Sequence, residues 1–287
     1  MAHSLSIPQC TLIAQSVSTR TEWLLVDGEQ VVERAYTQGL NPFFLSRREI
    51  SHCIRLELPA TFFKRRWNHV YFYGAGCSNS EKNKIVESSL VAQFKTPVTV
   101  MSDLMAAARG LLVHTKGLAC ILGTGSNSCL YDGNDIVSNV RSLGFILGDE
   151  GSGSSLGRLF LGDLMKGVAP KEITEAFFDR YQVTPDELMD AVYNNPKANY
   201  NLSTYSFFLA DHLEESYVRD MVSNELERFF ERNICQYEGY RDYPVAFVGS
   251  VATTYSELLL EVASEFDVQI QKIVRNAMPG LINYHAR

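Results

Sequence analysis

The segment "LGTGSNS" (Leu122 to Ser128) gathers small and polar residues into one turn. Gly123 and Gly125 let a ligand approach the backbone, and Thr124, Ser126 and Asn127 supply donors. Backbone N–H groups in such turns cradle phosphate oxygens without net positive charge. Close behind, "GDEGSGSSLG" (Gly148 to Gly157) sets Asp149 and Glu150 between glycines ahead of a helix start. A carboxylate there caps the helix, bonds a sugar hydroxyl or helps hold a hydrated Mg2+. Asp103 ends the apolar run "VTVMSD" and opens a helix. It is either an N-cap or a general base at the carboxyl end of a strand, where open α/β sheets bind ligands. "GSVAT" (Gly249 to Thr253) is a second small-residue turn between strand and helix, suited to a nucleotide.

Other chemistries find little support. The histidines at 3, 52, 69, 114, 212 and 285 are isolated, and no Ser/His/Asp order stands out. The six cysteines are scattered, with no CxxC and no histidine at ligand spacing. They read as reduced thiols of a cytosolic protein. Cys77, in "GAGC", has no basic partner that would make it a nucleophile.

These groups need a scaffold. The chain has 287 residues, enough for two domains of ordinary size. At 46% hydrophobic and 21% charged it is globular, not disordered. The net charge of -7 and the absence of a basic run longer than Lys64-Arg65-Arg66 argue against a nucleic-acid partner. Met1 to Cys10 lacks the pattern of a signal peptide, and no window holds the ~18–20 apolar residues of a membrane span. The expected setting is cytoplasmic.

An internal repeat organises the rest. Thr11 to Gln38 reads as strand, polar turn, strand, Asp27-Gly28 turn, strand. The pattern returns 105 residues later: Thr19/Thr124, Asp27/Asp132, Gly28/Gly133 and Gly39/Gly144 align without a gap. We read this as a duplicated hairpin unit with a polar loop. Between the copies, Ser46–Glu49 forms a capping box for a helix ended by Pro59. Strands are expected at 70–76 and 98–103, and helices at 80–94 and 104–114. The second half adds helices at 152–166, after the capping box Thr184–Glu187, and at 216–237 and 250–266. It also carries a strand at 245–249, an edge strand in "DVQIQKI" and a terminal helix from Gly280. Asn194 to Ser203 is the most loop-like stretch.

Taken together, "YFYGAGC", "ACILGTGSNSC", "GFILGDEGSG", "GSVA" and "PGLINYH" resemble the BadF/BadG/BcrA/BcrD-type ATPase family, in its N-acetylglucosamine kinase-like branch. That family belongs to the actin/hexokinase/Hsp70 (ASKHA) superfold. The resemblance runs from about Thr11 to the C-terminus. It implies an α/β fold of two duplicated ribonuclease H-like (actin-like ATPase) domains with a ligand cleft between them. The domains would be 1–104, joined by the terminal helix at about 275–287, and 105–274. It further implies ATP and Mg2+ as cofactors and phosphoryl transfer to an amino-sugar hydroxyl, and it leaves a homodimer open.

By position, Asp103 matches the catalytic base. Asn41, Gly125, Asn127, Gly144 and Asp149 match the sugar pocket and its rim. Ser18, Thr19, Gly123 and Thr124 match the two phosphate loops, with Arg20 as a cation beside the first. Gly249, Ser250 and Ala252 match the adenosine site, and Asp149 a water-bridged metal contact. The first loop departs from the family pattern: Gln15 stands where an Asp is usual, and Val17 where a Gly is usual. Three readings follow: a sugar kinase, a sugar- or nucleotide-binding member with impaired catalysis, and an activator-type ATPase.

Overall fold

The computed structural model describes residues 10–17, 19–64 and 68–286. They fall into two compact units, one running to His114 and resuming at Ala277, the other spanning Thr115–Asn276.

The first unit contains β1 (Cys10–Ser16), β2 (Arg20–Asp27), β3 (Gln30–Gln38), α1 (Arg47–Glu57), α2 (Thr61–Lys64), β4 (His69–Gly74), α3 (Ser80–Phe94), β5 (Val98–Ser102) and α4 (Asp103–Leu112). Its sheet has the order β3-β2-β1-β4-β5. The first three strands are antiparallel, and β1, β4 and β5 run parallel. Leu12, Trp23, Ile50, Ile54, Phe72 and Leu90 fill one core. The capping box forms as expected: Ser46 Oγ accepts from Glu49 N, and the Glu49 carboxylate accepts from Ser46 N.

The second unit contains β6 (Gly117–Leu122), β7 (Ser126–Tyr131), β8 (Ile136–Ser138), α5 (Gly144–Leu147), α6 (Gly153–Lys166), α7 (Lys171–Tyr181), α8 (Pro185–Tyr193), α9 (Ala198–Asp211), α10 (Ser216–Arg232), β9 (Val245–Val248), α11 (Ser250–Thr254), α12 (Ser256–Glu265) and β10 (Ile270–Val274). Helix α13 (Met278–His285) returns to the first unit and packs on α4. A Cβ on Gly280 would lie 1.7 Å from Gly110 O, so two glycines permit this crossing.

The second sheet, β10-β9-β6-β7-β8, repeats the first strand for strand. Again three antiparallel strands are followed by two parallel ones. The duplication is therefore real as topology. Its register is not ungapped: Ser16 pairs with Thr21 around four residues, whereas Leu122 pairs with Ser126 around three.

Three expectations need correction. The stretch from Asn194 to Ser203 is not a loop: α9 begins at Ala198 because Leu202, Tyr205, Phe208 and Leu209 bury an apolar stripe. A Cβ on Gly157 would sit 2.0 Å from Leu202 O, so α6 and α9 touch backbone to backbone. The helix expected over 216–237 stops at Arg232 and continues as one 3-10 turn, Ile234–Gln236. The helix expected over 250–266 is broken at Tyr255, whose buried hydroxyl donates to Ser206 O.

Candidate active site

In the first unit the candidate residues gather at the carboxyl ends of β1, β4 and β5. Ser16, the last residue of β1, is buried and its Oγ accepts from Leu40 N at 2.8 Å. Its carbonyl accepts from Ala75 N at 3.0 Å. These bonds join the hairpin turn to the segment carrying Asn41 and to the turn after β4. Asn41 Oδ1 accepts from Phe43 N at 2.9 Å, an Asx turn that fixes its side chain. A Cβ on Gly76 (φ +82°) would fall 2.2 Å from Asn41 Oδ1, so only glycine leaves that oxygen its place.

Asp103 is not the helix cap. Ser102 holds that role, its Oγ accepting from Met105 N at 3.1 Å. Asp103 occupies the first helical position, and its Oδ1 accepts from its neighbour Leu104 N at 2.9 Å. Part of the side chain reaches solvent, yet protein atoms crowd it. That desolvation outweighs the backbone donors and pushes its pKa up to about 6. At neutral pH it is an ionised carboxylate with the affinity for a proton that a general base needs. Cys77 is buried, and desolvation reinforced by Asp103 pushes its thiol up to about 12, so it is no nucleophile.

The first hairpin turn closes with Val17 N donating to Arg20 O at 2.9 Å. Ser18 lies outside the described residues. Thr19 is exposed, Val17 is 44% exposed, and the Arg20 guanidinium lies 5.3 Å from the Tyr36 ring centroid. Arg20 is thus engaged on the β2–β3 surface. Gln15 is half-buried on β1, opposite Glu22.

In the second unit the turn after β6 is braced from behind. Gly123 O accepts from Gly153 N at 2.9 Å, and Thr124 O from Ser154 N at 3.0 Å. The first N–H groups of α6, which an isolated helix leaves unpaired, thus bind the turn's carbonyls. Gly123 N donates to Gly125 O at 3.0 Å. The N–H groups of Thr124 and Gly125 form no hydrogen bond among the described residues. A Cβ on Gly123 would meet nothing within 4 Å. Two unbonded donors beside the open space at Gly123 form a candidate anion nest.

Asp149 is held against this turn. Its Oδ1 accepts from Ser126 N at 3.2 Å, and a Cβ on Gly125 would come within 2.8 Å of its Oδ2. Its backbone is left-handed (φ 57°), and its N–H donates to Ser142 O at 3.0 Å. Burial, opposed by the Ser126 N–H and reinforced by Glu150, pushes its pKa up to about 6. Asn127 Oδ1 accepts from Asn139 Nδ2 at 3.0 Å. Gly144 (φ +75°) is exposed with open space around it.

Gly249 abuts the same turn. At φ +136° a Cβ there would lie 2.0 Å from Leu122 O, so glycine brings "GSVAT" against the end of β6. Ser250 is partly exposed beside it. Ala252 is fully buried in the core and offers a ligand no surface. The structure therefore brings Gly123, Thr124, Gly125, Asp149 and Gly249 together within one unit. It brings Asp103, Asn41 and the turn after β4 together within the other.

Sequence reasoning missed Ser16 and Glu225. Ser16 had a signal as a small polar residue ending an apolar strand. Glu225 had one as a carboxylate inside an apolar helical stripe, and it is buried. Among the described residues no group of three or more His, Cys, Asp or Glu could hold a metal ion, and no helix is long and apolar enough to cross a membrane.

No family model and no curated protein matches the chain. Solved structures do. A Porphyromonas gingivalis protein named "Putative N-acetylglucosamine Kinase" is 40% identical, with a TM-score of 0.92, over 96% of this chain and 98% of that one. A Chromobacterium violaceum protein of the same name shares 15% identity and a TM-score of 0.73, over 96% and 98% of the two chains. A Listeria monocytogenes protein described as "a putative N-acetylmannosamine kinase" shares 13% identity and a TM-score of 0.55, over 96% and 97%. The latter two speak to the fold alone. The repeated five-stranded sheets match two duplicated domains of the actin-like ATPase fold. Within that class the chain belongs to the N-acetylglucosamine kinase-like branch of the BadF/BadG-type ATPase family.

Proposed function

We propose that the protein is an ATP-dependent sugar kinase whose acceptor is N-acetylglucosamine or a related amino sugar. Asp103 carries this reading. It stands at a strand's carboxyl end, is spared from capping by Ser102, and has a proton affinity raised by burial. Its carboxylate takes the proton of the sugar hydroxyl as that oxygen attacks the γ-phosphorus. Phosphoryl transfer asks for positioning and charge neutralisation rather than a covalent nucleophile.

Thr124 and Gly125 donate their N–H groups to phosphate oxygens, Gly123 leaves room for them, and Gly249 and Ser250 border the adenosine. Asn41, Asn127, Gly144 and Asp149 fix the sugar. Mg2+ fits this donor set as the partner of nucleotide phosphates, keeping most of its waters and taking at most Asp149 through one of them. When bound it neutralises charge on the transferring phosphate. Thr19 serves the first phosphate loop, whereas Arg20 stands over Tyr36.

A second reading has its own support. The first turn lacks both the usual acid and glycine, having Gln15 and Val17. A protein that binds its ligands but turns over slowly is the alternative. Calorimetric titration with ATP–Mg2+, with and without N-acetylglucosamine, combined with ADP release across hexosamines, separates the two. Sugar-dependent ADP release is expected. Binding of both ligands without turnover supports the alternative, and binding of neither overturns both.

A further inference from the structure

Helix α10 buries Val218, Val222, Leu226, Phe229 and Phe230, and Glu225 lies inside that stripe with 1% of its surface exposed. A leucine would continue the stripe. A buried carboxylate contributes little to stability even when paired, so its presence there asks for another explanation.

Its bonds supply one. Glu225 Oε2 accepts from the Ser155 hydroxyl at 2.6 Å and, more weakly, from Gly151 N at 3.4 Å. Oε1 accepts from Arg228 at 2.6 Å. Gly151 (φ +71°) is wedged against the same helix, since a Cβ there would lie 3.0 Å from Phe229 Cβ. One turn further along α10, Arg232 pairs with Glu150 at 2.5 Å. Helix α10 therefore grips residues 150, 151 and 155, and Glu225 alone holds two of them. On one side of that grip stands Asp149. On the other is the first turn of α6, whose Gly153 and Ser154 N–H groups brace Gly123 and Thr124.

We propose that Glu225 is a positioning residue. Through Ser155 and Gly151 it sets the Asp149 carboxylate and the anion nest in register, without touching substrate. The inference rests on the kinase reading for its kinetic consequence, but its structural content stands apart from it.

The test compares Glu225→Leu, Glu225→Gln, Ser155→Ala and the Glu225→Gln/Ser155→Ala double variant. Glu225→Leu should lower kcat/KM for the sugar about 100-fold, the scale of a misplaced reacting group, with Tm moving by less than about 5 °C. Glu225→Gln keeps an acceptor for Ser155 and should retain more activity. The double variant should lose no more than Ser155→Ala alone, because the acceptor that Glu225→Gln retains then has no hydroxyl to hold. Amide exchange at 149–155 should quicken in Glu225→Leu while that of β9 does not. Three outcomes overturn the proposal: activity of Glu225→Leu within about threefold of the native protein, parallel loss of activity and Tm, or full additivity in the double variant. Should the native protein turn over no sugar, the kinase reading fails, and the exchange measurement alone decides for or against Glu225.

Discussion

In the first unit the last pair of β1 and β2, Ser16 and Thr21, encloses four residues, of which Arg20 already pairs with β3, and none is glycine. In the second the turn between β6 and β7 encloses three, two of them glycine. The second has the Gly123 and Thr124 carbonyls tied to the start of α6 and the Thr124 and Gly125 N–H groups unbonded, with Asp149 pressed against Gly125. The first closes on itself through Val17 and Arg20, and it ties Ser16 to the Asn41 segment instead. Two copies of one topology have thus taken different work. The second unit presents two unbonded turn N–H groups beside Asp149, and the first presents the Asp103 carboxylate and an asparagine fixed by its own turn. Duplication conserves strand order, because the sheet requires it. It leaves the turns free to diverge, because turns lie outside the core.

The sharpest way to break this division is Asp103→Asn. If the first unit supplies the base, kcat falls about 10²–10⁴-fold while ATP binding survives. Loss of ATP binding in calorimetry would place phosphate recognition in the wrong unit. The same variant has a stability signature. The folded-state pKa of about 6 exceeds the ordinary 3.8, so the folded protein holds the proton more tightly. Ionisation therefore costs stability at and above neutral pH, and the cost fades as pH falls through about 6 toward 4. Asp103→Asn should raise Tm by a few degrees at pH 7.5 and by almost nothing at pH 4. In the native protein kcat should decline as pH falls through about 6.

Gly125→Ala tests the second unit. A Cβ 2.8 Å from Asp149 Oδ2 must displace the carboxylate or the turn. A loss of kcat/KM of about 10–100-fold is expected, on the scale of an active-site group shifted by a fraction of an ångström. Gly162→Ala, on α6 with open space around it and no part in the site, serves as the control and should lose little.

The smallest effect concerns the first turn. Gln15→Asp with Val17→Gly should strengthen ATP–Mg2+ binding by about 3–10-fold, on the scale of one charged contact to a metal-bound phosphate. No change would mean that this turn takes no part in holding nucleotide.

Much of this was legible in the chain. Asp103 stood out because a polar residue ending an apolar strand is where open sheets place ligands. The glycine turn 123–125 and the repeat showed through composition alone. Other features were not legible. Helix α9 hides behind "NNPKANYNLS", most of whose polar residues are exposed or half-buried, and its packing on α6 depends on Gly157 admitting Leu202 at backbone distance. The cation expected at Arg20 lies over Tyr36, a neighbour supplied by strand pairing. Ala252 sits in a small-residue motif, but the fold turns it into the core.

The sequence by itself determined the two hairpin-led units, the parallel strands behind them and the residue types at their ends, since these follow from periodicity and turn chemistry, which are local. Tertiary structure decided which oxygen each N–H finds: Ser102 rather than Asp103 as the cap, Glu225 behind Ser155, and Gly153 and Ser154 behind the anion nest. Those choices depend on distances between segments far apart in the chain, and burial sets the energy of each. It is also burial, absent from any string of letters, that moves Asp103 and Asp149 to pKa values near neutrality, about 6 in each case.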